Sequence, residues 1–265
     1  MKRYCLIGLL IVGMLHVGGR IASAETIRMG YFEISPHMYT SRTTGLPAGA
    51  TVTFFETVAR KMGYDVIWVG PIPHARLVYY LEEGEVIDGD PIMSKTPERE
   101  KFLCFPDTPF YLAKPNFVVK RDSPLTKINT IDDVKGYTLG QFSKAANSQF
   151  VTKNKSFFKF EIISGAGDTF KQHLKILFAD RVDAIHTLDE FSMLYEAKKL
   201  NLDKQIKILF LPEPPLPFYS VFHKSENGKM LAEKYDIAIK ELGLTTNHYL
   251  ELVQHEIDLV KKETE

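Results

Sequence analysis

Strand and helix patterns alternate along this chain, and that alternation restricts its possible folds more than any other property of the sequence. Residues 25–31 (ETIRMGY) alternate polar and apolar side chains, as a half-buried strand does. Residues 52–62 then repeat apolar positions at helical spacing (Phe54, Phe55, Val58, Met62), with Thr51 expected as the cap and Gly63 as the stop. A second strand follows at 64–69, a helix at 73–83 that opens on proline and ends before Gly84, and a third strand at 86–88. Strands that alternate with helices at this spacing build an α/β unit around a parallel sheet. Ligands of such sheets gather at the carboxyl ends of the strands. Here those ends carry Tyr31 to His37, Val69 to His74, and Asp88 to Ser94.

A second α/β run occupies the middle of the chain. It has strands at 137–140, 159–163, 182–187 and 206–211, and helices at 168–178 and 189–199. Extended segments at 115–120 and 211–219, the latter containing the stiff PEPPLP connector, join the two runs. Two helices, 228–242 and 247–260, finish the chain. The 265 residues, 45% hydrophobic, suffice for one large domain or two smaller units. Lys plus Arg and Asp plus Glu both total 33, so no basic excess points to nucleic acid. At the N-terminus, Lys2-Arg3 precede an apolar run over residues 6–15, and Ala22-Ser23-Ala24 offers a small-residue cleavage site. This pattern predicts a secretory leader over residues 1–24 and an exported, periplasmic mature chain. With the leader removed Cys104 is the single cysteine, flanked by Leu103 and Phe105, and reads as a buried thiol.

The segment from Gly84 to Tyr111 carries the chemistry. Thr96 suits an N-cap, Pro97 the first helical position and Glu98 the electropositive first turn. Arg99 then stands beside a turn of free backbone N–H groups, a fair anion site. Read alone, the same four residues also fit an ion-paired surface arginine.

Strand, polar turn, T-P-E-R and then F-x-x-x-P-F-Y together resemble the signature of type II periplasmic solute-binding proteins, the amino-acid-binding family of ABC importers. The shape around 167–184, ending in R-V-D-A, and the order of elements extend the resemblance from about Thr26 to Leu252. It implies a two-lobed α/β fold, each lobe a mainly parallel sheet flanked by helices. Lobe 1 would take residues 25–114 and 216–265, and lobe 2 residues 115–215. It also implies a monomer that holds a small-molecule ligand between the lobes, with no metal or cofactor, and hands it to an inner-membrane ABC permease. Arg99 would be the carboxylate clamp and Ser94 a donor beside it, with Asp90 and Met93 lining the same turn. Ser143, Ala145 and Asn147 belong to the lobe 2 loop that would present N–H groups to the same carboxylate.

Tyr31 is a further candidate for the pocket wall, or for the core. Arg76 offers a second anion contact or a solvated helix position, Thr187 sits at a strand end, and His186 reads as a satisfied core histidine. One departure stands out. Amino-acid binders commonly place an aspartate, for the ligand's ammonium, where this chain has Leu188; its acid comes one residue later, at Asp189. A one-residue step on a strand reverses the face, and Asp189 also fits an N-cap. Either Glu33 or Asp90 replaces it as the anionic partner, or the ligand has no ammonium. Two rivals accompany this reading: a ligand sensor that signals to a membrane receptor, and a secreted dehydratase-like enzyme using Glu33, Asp90 or His37 as acid or base.

Overall fold

The computed structural model describes residues 24–143, 145–163 and 169–264, so the expected leader lies outside the described residues except for Ala24. The chain enters on β1 (Glu25–Gly30), makes a small hairpin of β2 (Tyr39–Thr40) and β3 (Pro47–Ala48), and runs through α1 (Ala50–Met62) into β4 (Tyr64–Val69). After α2 (His74–Glu83) come β5 (Gly89–Ser94), β6 (Leu103–Cys104) and β7 (Tyr111–Ala113). The middle supplies β8 (Asn116–Lys120), β9 (Thr138–Phe142), α3 (Gln149–Lys153), β10 (Lys159–Ile163) and α4 (Thr169–Phe178). It continues with β11 (Ala184–Thr187), α5 (Ser192–Lys199) and β12 (Ile206–Phe210). The chain then returns with β13 (Leu216–His223), α6 (Glu226–Leu242) and α7 (Thr246–Thr264).

Two main sheets result. The first has the order β4-β1-β5-β13-β6, with β7 also beside β13; the second has the order β10-β9-β11-β8-β12. Each holds a parallel trio extended by antiparallel strands. β1 runs parallel to β4 and β5, and β9 parallel to β10 and β11, whereas β13 and β8 run against their neighbours. The chain passes between the sheets twice, side by side, and the Leu211 N–H donates to the Pro115 carbonyl at 2.9 Å.

Burial explains the sequence patterns. On β8, Phe117 and Val119 enter one hydrophobic cluster and Val118 another, so both faces are covered and the strand reads as a continuous apolar run. α1 buries Phe54, Phe55 and Val58 against Tyr235 of α6 and Tyr249 of α7.

Two local expectations are corrected. The third strand is Gly89–Ser94 rather than 86–88, although Gly, Asp and Pro are poor strand residues. All six residues are buried between β1 and β13, and the local sequence fits that position. A Cβ on Gly89 would sit 2.3 Å from the Val221 carbonyl oxygen. Pro91 lies where the register with β13 shifts between Tyr219 and Val221, so its missing N–H removes no ladder bond. Thr51, expected as a cap, lies inside α1, which starts from Gly49. The Thr51 hydroxyl is instead buried at 2.7 Å from the Tyr249 hydroxyl.

Candidate functional site

A cavity of about 610 Å³ opens where the carboxyl ends of strands from both sheets meet. From the first sheet it takes Phe32 to Ile34 after β1, Pro71 to Ala75 after β4, Ile92 to Ser94 at the end of β5, and Arg99. From the second it takes Phe142 at the end of β9, Ser143, Ala145 and Ala146 after it, Phe170 at the start of α4, and His186 to Asp189 at and just past the end of β11. This is where the strand–helix alternation expects a ligand.

Arg99 is the permanent cation on this wall. Its turn forms as the sequence suggests: the Arg99 N–H donates to Thr96 Oγ1 at 3.3 Å and the Glu100 N–H to the Thr96 carbonyl at 3.0 Å. Nη1 donates to the Ser94 carbonyl (2.8 Å) and lies 2.7 Å from Ser94 Oγ, which fixes the guanidinium at the strand end. Among the described residues, Nε and Nη2 make no hydrogen bond, so that edge is open to a ligand. Burial lowers the guanidinium pKa while Asp90 and Glu98 raise it, and it stays charged at any working pH.

Other groups on the wall are neutral or engaged. His74 packs edge-on against Phe32, centroids 5.0 Å apart, and burial plus the Arg99 charge push its pKa down to about 4. Burial alone pushes His186 down to about 4, and its Nε2 has no partner among the described residues. It is buried in β11, but it lines the cavity and its Nε2 is unsatisfied, unlike the satisfied core histidine expected. Glu33 accepts the Thr40 N–H at 3.1 Å and the Thr40 hydroxyl at 2.7 Å on the exposed rim. Asp189 Oδ1 accepts the N–H groups of Phe191 and Ser192, both at 2.8 Å, in the turn that leads into α5, whose cap position is Phe191 rather than the expected Asp189. It also receives His37 Nε2 across the two sheets at 3.2 Å, while His37 Nδ1 lies 2.6 Å from the Tyr249 hydroxyl. Burial would raise the Asp189 pKa, but the His37 contact and the N–H donors outweigh it and hold the acid down.

Met93, Ser94, Glu33, Ser143, Ala145 and Thr187 reach the cavity together with Arg99. The other expected residues lie off its wall, for physical reasons. Tyr31 is 3% exposed, in the core of the first sheet, against Trp68. His37 is buried in the contact with Asp189 and Tyr249. Asp90 lies inside β5 rather than in a turn; burial lifts its carboxyl to about 7 against the pull of the Ile92 N–H and Arg99. Arg76 is exposed on α2. Asn147 accepts from the Gln141 side chain. The lobe 2 loop also departs from expectation. The Ser143 N–H donates to the Ile163 carbonyl and the Ala145 N–H to the Phe142 carbonyl, so neither is free for an anion. Lys144 in that loop, and Gly167 of the expected 167–184 pattern, lie outside the described residues.

Sequence reasoning missed the apolar lining. Phe142 and Phe170 meet with centroids 4.6 Å apart, and Phe218, Ile92 and Ile163 complete the surface. The available signal was an aromatic residue at a strand's carboxyl end. Trp68 donates to Glu56 and packs on Phe55, away from the cavity.

A family profile of bacterial extracellular solute-binding proteins, family 3, matches residues 27–255. No curated protein matches the sequence. Among solved structures, an ancestral arginine-binding protein bound to glutamine is 25% identical, with TM-score 0.69 over 87% of this chain and 96% of its own. An amino acid ABC transporter substrate-binding protein, AbpA, from Streptococcus pneumoniae, bound to L-arginine, superposes with TM-score 0.71 at 17% identity over 89% and 96%. The periplasmic VFT2 domain of BvgS from Bordetella pertussis gives 0.70 at 15% over 88% and 94%. The last two likenesses are of fold.

Proposed function

The chain belongs to the bacterial extracellular solute-binding proteins, family 3, and from that membership we propose that it captures a small carboxylate-bearing solute for an ABC importer. The carrying observation is Arg99, a cation tethered to Ser94 with an open edge on a cavity shared by two sheets. A charge-assisted, two-pronged bond to a carboxylate is the interaction such an edge makes best. The arginine and glutamine held by the structural relatives support an amino acid or a derivative of one. In this reading the lobes are residues 25–114 with 216–265, and residues 115–215, and the mature protein is a periplasmic monomer that closes by hinge rotation. Family membership favours binding over catalysis. No helix among the described residues is long and apolar enough to cross a membrane.

The test is a thermal-shift and calorimetric screen of the purified protein against amino acids, their derivatives and other small carboxylates. A ligand that binds only the native state raises the melting temperature by mass action. Arg99→Ala should cost the hit about 100-fold or more in affinity while the fold persists. Binding retained within a few-fold would overturn the carboxylate assignment.

The likeness to a BvgS periplasmic domain supports a second reading, in which the closed form is presented to a membrane receptor. Uptake of the labelled solute by cells lacking the protein separates the two. Lost uptake supports delivery to a permease, and normal uptake with an altered transcriptional response supports sensing.

A further inference from the structure

Among the described residues the acids on the cavity wall already have partners, and this bears on what kind of carboxylate fits. Among the described residues only Glu33 and Asp189 bring a carboxylate to the wall. Asp189 Oδ1 is taken by the Phe191 and Ser192 N–H groups and His37, and the Ser192 hydroxyl lies 2.9 Å from Oδ2. Glu33 is tied to Thr40 at the solvent-exposed rim, where any pairing is screened. Leu188, the residue before Asp189, also lines the cavity and brings no charge to it. A buried ammonium without a partner is strongly disfavoured.

The rest of the wall favours the opposite chemistry. Phe32, Phe142, Phe170 and Phe218 offer aromatic surface to an apolar body. His186, 3% exposed and neutral, lines the cavity with an unpartnered Nε2. In the tautomer with the proton on Nε2, this imidazole donates to an oxygen such as a 2-oxo or 2-hydroxy group.

Building on the solute-binding reading, we propose that the solute is an apolar monocarboxylate with an oxygen in place of the α-ammonium: a 2-oxo or 2-hydroxy acid with a branched or aryl side chain. Arg99 takes the carboxylate, the phenylalanine rings take the side chain, and the α-carbon carries no charge.

Matched pairs test it by calorimetry on the full protein: phenylpyruvate against phenylalanine, and 4-methyl-2-oxopentanoate against leucine, each also with Arg99→Ala. The 2-oxo member of at least one pair should bind about 30-fold or more tighter than its amino acid, and lose that binding in Arg99→Ala. Leu188→Asp should shift the ratio toward the amino acid by about tenfold. An amino acid that binds as well as its 2-oxo partner, and still needs Arg99, overturns this inference while the solute-binding reading stands. If neither pair binds and the wider carboxylate screen is also silent, both fall together.

Discussion

Asp90 on β5 and Asp189 just past β11 are buried acids near the centres of the two sheets, yet their pKa values move in opposite directions. Asp90, inside β5, accepts one N–H, from Ile92, and its Oδ2 has no partner among the described residues; its carboxyl is lifted to about 7. Asp189, just past β11, accepts from Phe191, Ser192 and His37, and its carboxyl is held below the ordinary range. Burial acts on both in the same direction, so it is the supply of donors that separates them. The charges a cavity offers a ligand therefore follow from which side chains the fold has already satisfied. Counting acidic residues near a strand end does not reveal this.

Three substitutions probe that contrast. The largest effect belongs to Asp189→Ala, which strands His37, the Ser192 hydroxyl and two N–H groups in a buried contact between the sheets. It should cost about 3–5 kcal/mol of stability, read by denaturant unfolding. A loss below about 1 kcal/mol would mean the acid is not held as described.

Asp90→Asn comes next, and its sign depends on pH. The folded state keeps the Asp90 proton between about pH 4 and 7 while the unfolded chain releases it, so wild-type stability falls as pH rises through that window. Asparagine cannot ionise, so the variant should gain on the wild type by up to about 4 kcal/mol between pH 4 and pH 8. A stability difference that stays flat with pH would show that Asp90 is ionised throughout. The smallest effect is expected from Arg76→Ala. This exposed arginine is off the wall, so affinity for the ligand should stay within about two-fold and stability within about 0.5 kcal/mol. A loss comparable to that of Arg99→Ala would make Arg76 a second clamp.

The fold was largely legible because its signals are local. Hydrophobic period, caps and proline or glycine stops lie within a dozen residues of one another, and they placed most strands and helices. β5 is expected three residues too early because its burial comes from β1 and β13, far away in sequence, which overrides the poor propensity of GDPIMS. The site divides in the same way. That Arg99 and Ser94 would share one wall was readable from one short motif, and that Asp189 would bond the turn before α5 from its position there. Tyr31 and His37 were misplaced because the side of a strand end that faces the cavity is set by the whole sheet. The rings of Phe142, Phe170 and Phe218 converge from three distant segments, and nothing local announces such a meeting.

The contact between His37 and Asp189 has a mechanical consequence. It lies close to the crossing of the chain, where Asn116 Nδ2 donates to the carbonyls of both Lys114 and Asp189, and Tyr111 reaches Glu190. A bonded point beside a double crossing acts as a fulcrum. Any rotation of one sheet against the other leaves atoms there nearly still, and displacement grows along the lever arm away from it. The histidine, the aspartate and the tyrosine hydroxyl therefore tie the two sheets together at one point beside the crossing.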